Sequence, residues 1–316
     1  MKTVLVTGAL GQIGSELVAK LRSLYGDNHI VGTDIRSDAD SPVVCGGPFE
    51  ILDVTDGERF LEIGKKYHVD AVVHLAAVLS ATGEAKPQFA WHLNMTGLVN
   101  GLETARQLQC QLFTPSSIAA FGPSTPKDST PQDTIQRPNT IYGVTKVSGE
   151  LLCDYYHQRF GVDTRGVRFP GLISYVTPPG GGTTDYAVEI YYHAVKEKKY
   201  TSYIAAGTKM DMMYMPDALE AIVQLMEADP ARLIHRNAFN ITAMSFAPED
   251  VAAAIQARIP EFLLTYDVDP VRQRIAESWP NSIDARCAVD EWGFQPRYDL
   301  ESMTKDMLEK LVSRGR

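Results

Sequence analysis

The sequence predicts an α/β fold in which a doubly wound parallel sheet carries helices on both faces. Short apolar runs alternate with segments of helical periodicity through the first half of the 316 residues. A glycine-rich turn joins the first apolar run to the first helical segment. The run Ala71–Leu75 is mostly apolar, which is typical of a strand buried on both faces.

The first half contains six predicted strands and four predicted helices, in alternation for most of its length. The strands are Thr3–Thr7, His29–Thr33, Pro48–Leu52, Ala71–Leu75, Gln111–Pro115 and Thr164–Phe169. The helices are Ile13–Leu24, Gly57–Tyr67, Ala90–Leu108 and Ile141–Phe160.

The second half is less regular. We expect a loop at Thr177–Asp185, strand and turn at Tyr203–Met215, and a smaller mixed α/β part overall. Helices are predicted at Ala187–Glu197, at Asp217–Asp229 with Asp217 as the N-cap, and at Pro248–Arg258 with proline in the first turn.

Composition excludes several classes of protein. The net charge of −9 argues against nucleic acid as the main partner, because phosphate binding needs a positive face. The four cysteines, at 45, 110, 153 and 287, lack the spacing of metal ligands, so we predict reduced, mostly buried thiols and no metal site. No secretory signal or membrane-length apolar run is visible, and we expect a cytoplasmic protein without membrane contact.

The turn Thr7–Gly14 has the pattern of a phosphate cradle. Gly8 allows the tight turn, Gly11 lets the backbone approach a pyrophosphate, and Gly14 permits close packing of the helix on the strand. The helix that opens at Gln12-Ile13 then presents free N–H groups to the phosphates. These features predict a dinucleotide-binding domain over residues 1–170, with some later segments returning to it, and a mainly substrate-binding part over 171–316.

An acidic residue ends the second predicted strand, which favours NAD over NADP. Asp34 is expected to accept hydrogen bonds from the adenosine ribose and to repel a 2′-phosphate. Arg36 complicates this choice, because a nearby arginine can serve a 2′-phosphate. Asp53-Val54 follows the third strand and is placed to meet the adenine ring, although Asp53 could equally be a helix N-cap.

Tyr142 and Lys146 lie four residues apart, on one face of a predicted helix. An ammonium group near a phenol stabilises the phenolate, which can then accept the proton of a substrate alcohol. Ser117 follows the strand Gln111–Pro115, and its hydroxyl could hold the substrate oxygen next to Tyr142.

Over nearly its whole length the chain resembles the extended short-chain dehydrogenase/reductase family. The matching segments are Thr7–Gly14, His74–Ala77, Asn94, Ser116–Gly122 and Tyr142–Lys146. The resemblance implies that Ser117, Tyr142 and Lys146 form the catalytic set, with Tyr142 as general base. Further cofactor contacts that it implies are Leu75, Ala76, Ala77, Asn94, Lys146 and Pro170.

The second half resembles one group of this family, the short-chain type L-threonine 3-dehydrogenases. The resemblance rests on Gly180–Ala187, Asp211–Ala218 and Ser278–Asp284. It implies L-threonine as substrate, NAD as acceptor, and a homodimer formed through Ala90–Leu108 and Ile141–Phe160. The candidate substrate-binding residues are Ser80, Ser117, Tyr142, Gly182, Thr183, Thr184, Asp185 and Trp279.

Two other functions stay open at this stage. A nucleotide-sugar epimerase or dehydratase would keep NAD bound, but the Asn and Tyr-Gly-Pro that usually follow the sixth strand in such enzymes are absent from Arg168–Ser174. A non-catalytic NAD-binding protein is disfavoured by the intact set Ser117, Tyr142 and Lys146.

Overall fold

The computed structural model describes residues 3–178, 180 and 182–314. Its strands are β1 Val4–Thr7, β2 Ile30–Asp34, β3 Phe49–Ile51, β4 Ala71–His74, β5 Gln111–Phe113, β6 Ser116–Ser117, β7 Thr164–Arg165, β8 Val167–Phe169, β9 Gly171–Ile173, β10 Lys199–Ser202, β11 Met210–Tyr214, β12 Phe239–Asn240, β13 Met244–Phe246 and β14 Leu263–Tyr266. Its helices are α1 Gln12–Tyr25, α2 Pro42–Cys45, α3 Gly57–Lys66, α4 Ser80–Ala85, α5 Pro87–Leu108, α6 Ile141–Phe160, α7 Tyr186–Glu197, α8 Met215–Glu227, α9 Pro248–Gln256, α10 Pro270–Ser278, α11 Arg286–Trp292 and α12 Leu300–Arg314.

A six-stranded parallel sheet organises the first half, in the order β3-β2-β1-β4-β5-β7. The strand order reverses beside β1, which pairs with β2 through Val4 and Ile30 and with β4 through Val4 and Ala71. Ligands of such sheets bind in the crevice at the carboxyl ends of the strands, at this reversal. The predicted doubly wound fold is confirmed.

Helices cover both faces of this sheet because successive strand residues point to opposite sides. Val4 and Val6 pack into a core with α1 and α8, whereas Leu5 between them packs into a second core with α3, α5 and α6. Among the residues described, no helix is both long enough and apolar enough to cross a membrane.

One predicted strand divides between two sheets, and another ends earlier than predicted. Thr164–Phe169 breaks at Gly166, where a Cβ atom would lie 2.4 Å from the carbonyl oxygen of Thr114. The chain therefore leaves the main sheet after β7, and β8 pairs instead with β6 and β12. The end of Gln111–Pro115 lies outside β5, and Ser117 belongs to this second sheet.

The second half builds a separate hydrophobic core between α7, α9, α12 and the sheet β13-β11-β9. The predicted N-cap role of Asp217 is wrong. Helix α8 already begins at Met215, and the buried Asp217 carboxylate accepts hydrogen bonds from the N–H groups of Arg297 and Tyr298, both at 3.0 Å. Asp217 thus connects α8 to the segment before α12.

Candidate active site

The turn after β1 is shaped for the close approach of a ligand. Gly8 has a φ of +65°, and a Cβ atom there would lie 2.9 Å from the backbone nitrogen of Ala76. A Cβ atom at Gly14 would lie 2.2 Å from the carbonyl oxygen of Gly8. Both glycines are therefore required by the backbone geometry, because larger residues would displace the turn or the start of α1.

A cleft runs along the carboxyl ends of the central strands from this turn. Most of the predicted adenosine-binding and pyrophosphate-binding residues line it together: Gly8, Gly11, Asp34, Arg36, Asp53, Val54, Leu75, Ala76 and Ala77. Gln12, Ile13 and Pro170 line a second cavity, which shares Leu75 and Ala77 with the cleft. The two spaces are adjacent, as a dinucleotide that reaches a substrate would need.

Asp34 is held in place at the end of β2. Its carboxylate accepts hydrogen bonds from the N–H groups of Leu10, at 3.1 Å, and Arg36, at 3.4 Å. Asp53 accepts from the N–H and hydroxyl of Thr55, at 2.9 and 2.7 Å, whereas the N-cap of α3 is Asp56. The alternative reading of Asp53 as that helix cap is therefore wrong, and Asp53 lines the cleft.

One buried polar atom in the second cavity has no hydrogen-bond partner. The side-chain Nε2 of Gln12 is buried and makes no hydrogen bond. A buried donor without an acceptor is costly, and a bound ligand with acceptor atoms would satisfy it. Together with the turn at Gly8 and the N-terminus of α1, this donor makes the crevice a suitable site for a dinucleotide.

Tyr142 and Lys146 lie in the first two turns of α6, whose N-terminus is capped by Thr140. The Thr140 hydroxyl accepts a hydrogen bond from the N–H of Gly143 at 3.1 Å. Lys146 Nζ lies 5.3 Å from the centre of the Tyr142 ring and donates to the carbonyl oxygen of Pro115 at 2.7 Å. The ammonium group is thus fixed beside the phenol.

His74, at the end of β4, supports this region as a neutral side chain. It is buried, and its Nδ1 lies 2.9 Å from the Thr7 hydroxyl. Burial, with a smaller effect of the Lys146 charge, lowers the pKa of His74 to about 3. His74 is therefore uncharged near neutral pH and adds no positive charge beside Lys146.

Ser117 ends β6 and begins a short 3-10 helix at Ile118–Ala120. Its hydroxyl oxygen accepts a hydrogen bond from the N–H of Ala119 at 3.2 Å, so its proton remains available to a ligand. Ser117, Tyr142 and Lys146 all line the second cavity.

The cavity also collects the candidate substrate-binding residues from three distant parts of the chain. These are Ser80, Gly182, Thr183, Thr184, Asp185 and Trp279. Asp185 is buried, and its carboxylate accepts a hydrogen bond from the N–H of Gly182 at 2.6 Å. Trp279 is 6% exposed and belongs both to the cavity wall and to the core of the second half. Pro179 and Gly181, from the same glycine-rich segment, lie outside the described residues.

Asn94 lines a small space together with Leu75, Ala76, Ala77 and Lys146, but its polar atoms already have partners within the protein. Its side-chain oxygen accepts from the N–H of Val78 at 2.8 Å. Its amide group donates to the carbonyl of Val78 at 3.1 Å and to the hydroxyl of Thr145 at 3.2 Å. Asn94 therefore joins the segment after β4 to α6, and its polar atoms are used within the protein.

A buried ionic network supports the segment that carries Ser117. Glu150, one turn after Lys146 on α6, accepts hydrogen bonds from Arg168 Nε at 3.0 Å and Nη2 at 2.8 Å. It also accepts from the hydroxyl of Ser116 and from Gln136 Nε2, the latter at 2.7 Å. Both charged side chains are 7% exposed. The network ties α6 to β6 and β8, so it positions Tyr142 and Ser117 relative to each other.

Several residues of the two cavities are not among the predicted site residues. They are apolar or backbone contributors: Ile35, Leu52, Leu79, Leu93, Pro115 and Ile118. The available signal was that each lies within two residues of a predicted site residue. Nothing in their side-chain chemistry distinguishes them from core residues.

This fold and site define a family. Residues 4–242 match the NAD dependent epimerase/dehydratase family, and the chain belongs to it, as an extended short-chain dehydrogenase/reductase. An uncharacterized epimerase/dehydratase of Staphylococcus aureus is 63% identical over 312 residues, which cover 98% of this chain and 97% of that protein.

Comparison with solved structures shows which members of this family the chain resembles. The L-threonine dehydrogenase from Clostridium difficile is 68% identical, with a TM-score of 0.98 and coverage of 100% of this chain and 99% of that one. The L-threonine dehydrogenase from Phytophthora infestans is 49% identical, with a TM-score of 0.95 and coverage of 99% of this chain and 100% of that one. The structural neighbours at high identity are thus L-threonine dehydrogenases.

Proposed function

We propose that this protein is an NAD-dependent L-threonine 3-dehydrogenase. The observation that carries the proposal is one cavity in which Tyr142, Lys146 and Ser117 face the segment Gly182–Asp185 and Trp279. A cavity next to a dinucleotide cleft, lined by hydroxyls and one carboxylate, fits a small zwitterionic alcohol. The reaction converts L-threonine and NAD⁺ into 2-amino-3-ketobutyrate, NADH and a proton.

Tyr142 acts as the general base in this mechanism. As a phenolate it removes the proton from the C3 hydroxyl of the substrate. Lys146, fixed beside the phenol by Pro115, stabilises the phenolate, and it would also hold the nicotinamide ribose of a bound NAD. Ser117 donates its free proton to the substrate oxygen and holds it within reach of Tyr142. NAD supplies the hydride acceptor when it is bound.

The remaining polar groups hold the two charged ends of the substrate. The hydroxyls of Thr183 and Thr184 bind the carboxylate. The Asp185 carboxylate pairs with the ammonium group of the substrate. The hydrogen bond that it accepts from the N–H of Gly182 holds the segment Gly182–Asp185 in its conformation. Ser80 contributes a further hydroxyl from the start of α4, and Trp279 closes the apolar side around the substrate methyl group.

The first test is a direct assay of L-threonine oxidation by the wild type and by the Tyr142→Phe variant. Wild-type protein mixed with NAD and L-threonine should generate NADH absorbance, and the variant should lose at least about 10²-fold in kcat while still binding NAD. Near-full turnover by Tyr142→Phe would refute the role of the phenol. No turnover of L-threonine by the wild type, with activity on a UDP-sugar, would favour the epimerase alternative.

The second test separates substrate from cofactor binding. Asp185→Asn keeps the shape of the side chain but removes the charge that we assign to the ammonium group. The KM for L-threonine should rise far more than the KM for NAD. An equal rise in both would instead indicate a purely structural role, through Gly182 and the backbone that follows.

The assembly we propose is a homodimer formed through α5 and α6. Large apolar side chains on these helices are exposed to solvent in the single chain: Phe89, Trp91, Val144, Leu151, Tyr155 and Phe160. Exposed apolar side chains in this number on two helices favour association. Light scattering coupled to size exclusion would give the mass directly, and a monomer would contradict the proposal.

A further inference from the structure

Three side chains with metal-binding chemistry meet on the surface away from the two cavities. Atoms of His235, Cys287 and Glu291 that could serve as ligands all lie within 4.8 Å of one another. His235 Nδ1 is in direct contact with Glu291 Oε1. The other carboxylate oxygen of Glu291 accepts from the N–H groups of Ile234, at 2.5 Å, and His235, at 3.1 Å.

The cluster depends on the fold. Cys287 and Glu291 are four residues apart on α11, so they share one face of the helix. His235 reaches them from the loop between α8 and β12. Cysteine spacing alone predicts no metal site, because the histidine of the cluster is more than fifty positions away from Cys287 in the sequence.

We propose that His235, Cys287 and Glu291 bind one Zn²⁺ ion, with water as the fourth ligand. A thiolate, an imidazole and a carboxylate form a donor set that zinc accepts readily. Tetrahedral coordination places its ligand atoms roughly 3.3–3.8 Å apart. Cys287 therefore needs to approach by at most about 1 Å, whereas His235 Nδ1 and Glu291 Oε1, which are in direct contact, need to move apart. The ion would replace the proton between His235 and Glu291.

The charges of the three ligands and of the groups around them are compatible with a bound divalent cation. One thiolate and one carboxylate neutralise the ion, and the thiol proton passes to solvent on binding. Asp133 Oδ2 lies 3.4 Å from His235 Nε2, on the side away from Glu291. A carboxylate that accepts from the second ring nitrogen is the common arrangement behind a zinc-bound histidine. Asp284 and Asp290 add negative charge near Cys287.

The site would stabilise a loop that carries backbone strain. Arg236 and Ala238 both have positive φ, at 42° and 59°, a conformation that is strained for residues with a side chain. Directly after them, β12 pairs with β8 in the sheet that holds Ser117. Zinc would therefore fix the entry of this strand without touching substrate or cofactor.

The test uses tag-free, full-length protein that has been treated with a chelator and then titrated with Zn²⁺. Calorimetry should give one equivalent of zinc, and the thermal midpoint should rise. His235→Gln and Cys287→Ser should each weaken zinc binding by at least about 10-fold, the lower end of what loss of a supporting partner alone costs. Cys45→Ser is the matched control, because it removes an exposed thiol elsewhere and should bind zinc like the wild type.

Cobalt(II) provides a readout specific to the thiolate. The wild type and Cys45→Ser should show the near-ultraviolet absorption of a cobalt–thiolate bond, and Cys287→Ser should lack it. Circular dichroism shows whether each variant is folded. If Cys287→Ser is misfolded, the zinc binding of His235→Gln is compared with that of the wild type instead. The proposal is overturned if the wild type takes up no zinc, or if its uptake equals that of His235→Gln and Cys287→Ser.

Discussion

Replacement of Glu150 by glutamine should be strongly destabilising, although the two side chains have nearly the same shape. Each carboxylate oxygen of Glu150 receives one N–H from Arg168, at 3.0 and 2.8 Å. An amide has only one oxygen, so in either orientation its NH₂ group faces a guanidinium N–H. The buried cation then loses half of its partner, and Ser116 or Gln136 must also rearrange.

The expected cost is about 3–5 kcal/mol, the range for a buried ion pair that loses one partner. This is a large fraction of the roughly 5–15 kcal/mol that stabilises a typical protein. Urea unfolding followed by circular dichroism measures it. In a double-mutant cycle, Glu150→Gln with Arg168→Met should lose less than the sum of the two single variants.

Glu261→Gln is the control for charge removal alone. Glu261 pairs with Lys198 at the surface, where both side chains are more than half exposed. Its removal should leave the urea midpoint within experimental error. If Glu150→Gln were equally silent, the buried network would not position Ser117 and α6 in the way that we infer.

Two further predictions concern a buried acid and a glycine. Burial raises the pKa of Asp211 to about 7, so the native state holds a proton that the unfolded chain releases near pH 4. Stability should therefore fall as the pH rises from about 4 to about 7. Asp211→Asn can keep the hydrogen bond from Thr242 and should remove this pH dependence. The urea midpoints of both proteins are measured at pH 5, 6, 7 and 8, and the same pH dependence in both would contradict the prediction. Gly14→Ala should cost about 1–3 kcal/mol and raise the Kd for NAD, because its Cβ would overlap the Gly8 carbonyl. Ser23→Ala, on the exposed side of α1, should change neither thermal midpoint nor NAD titration.

Local chemistry explains why the first half was predictable. Gly8, Gly14 and Asp34 act through backbone space and charge within one strand–turn–helix unit, so their spacing carries the information. The helix Ile141–Phe160 has the predicted bounds because Thr140 caps its start and Gly161, in the left-handed conformation, ends it.

Long-range contacts explain what the sequence did not reveal. The segment Thr164–Phe169 reads as one strand, and only the approach of Thr114 to Gly166 divides it. Asp217 resembles a helix cap, yet its partners are eighty residues further along the chain. The helix Pro270–Ser278 is largely polar and gives a weak periodic signal, although it precedes Trp279 in the cavity. In the first two cases the deciding atom belongs to a distant segment.

The small sheet that holds Ser117 has a consequence for the order in which parts of this protein form during synthesis. Strand β6 is held by β8, and β8 by β12, whose last residue is Asn240. During synthesis, the dinucleotide crevice can form early, because β1, β2 and β4, whose carboxyl ends border it, are complete by residue 74. The serine gains its final support only after residue 240 has been made. A nascent or truncated chain would therefore acquire nucleotide binding well before it could oxidise a substrate.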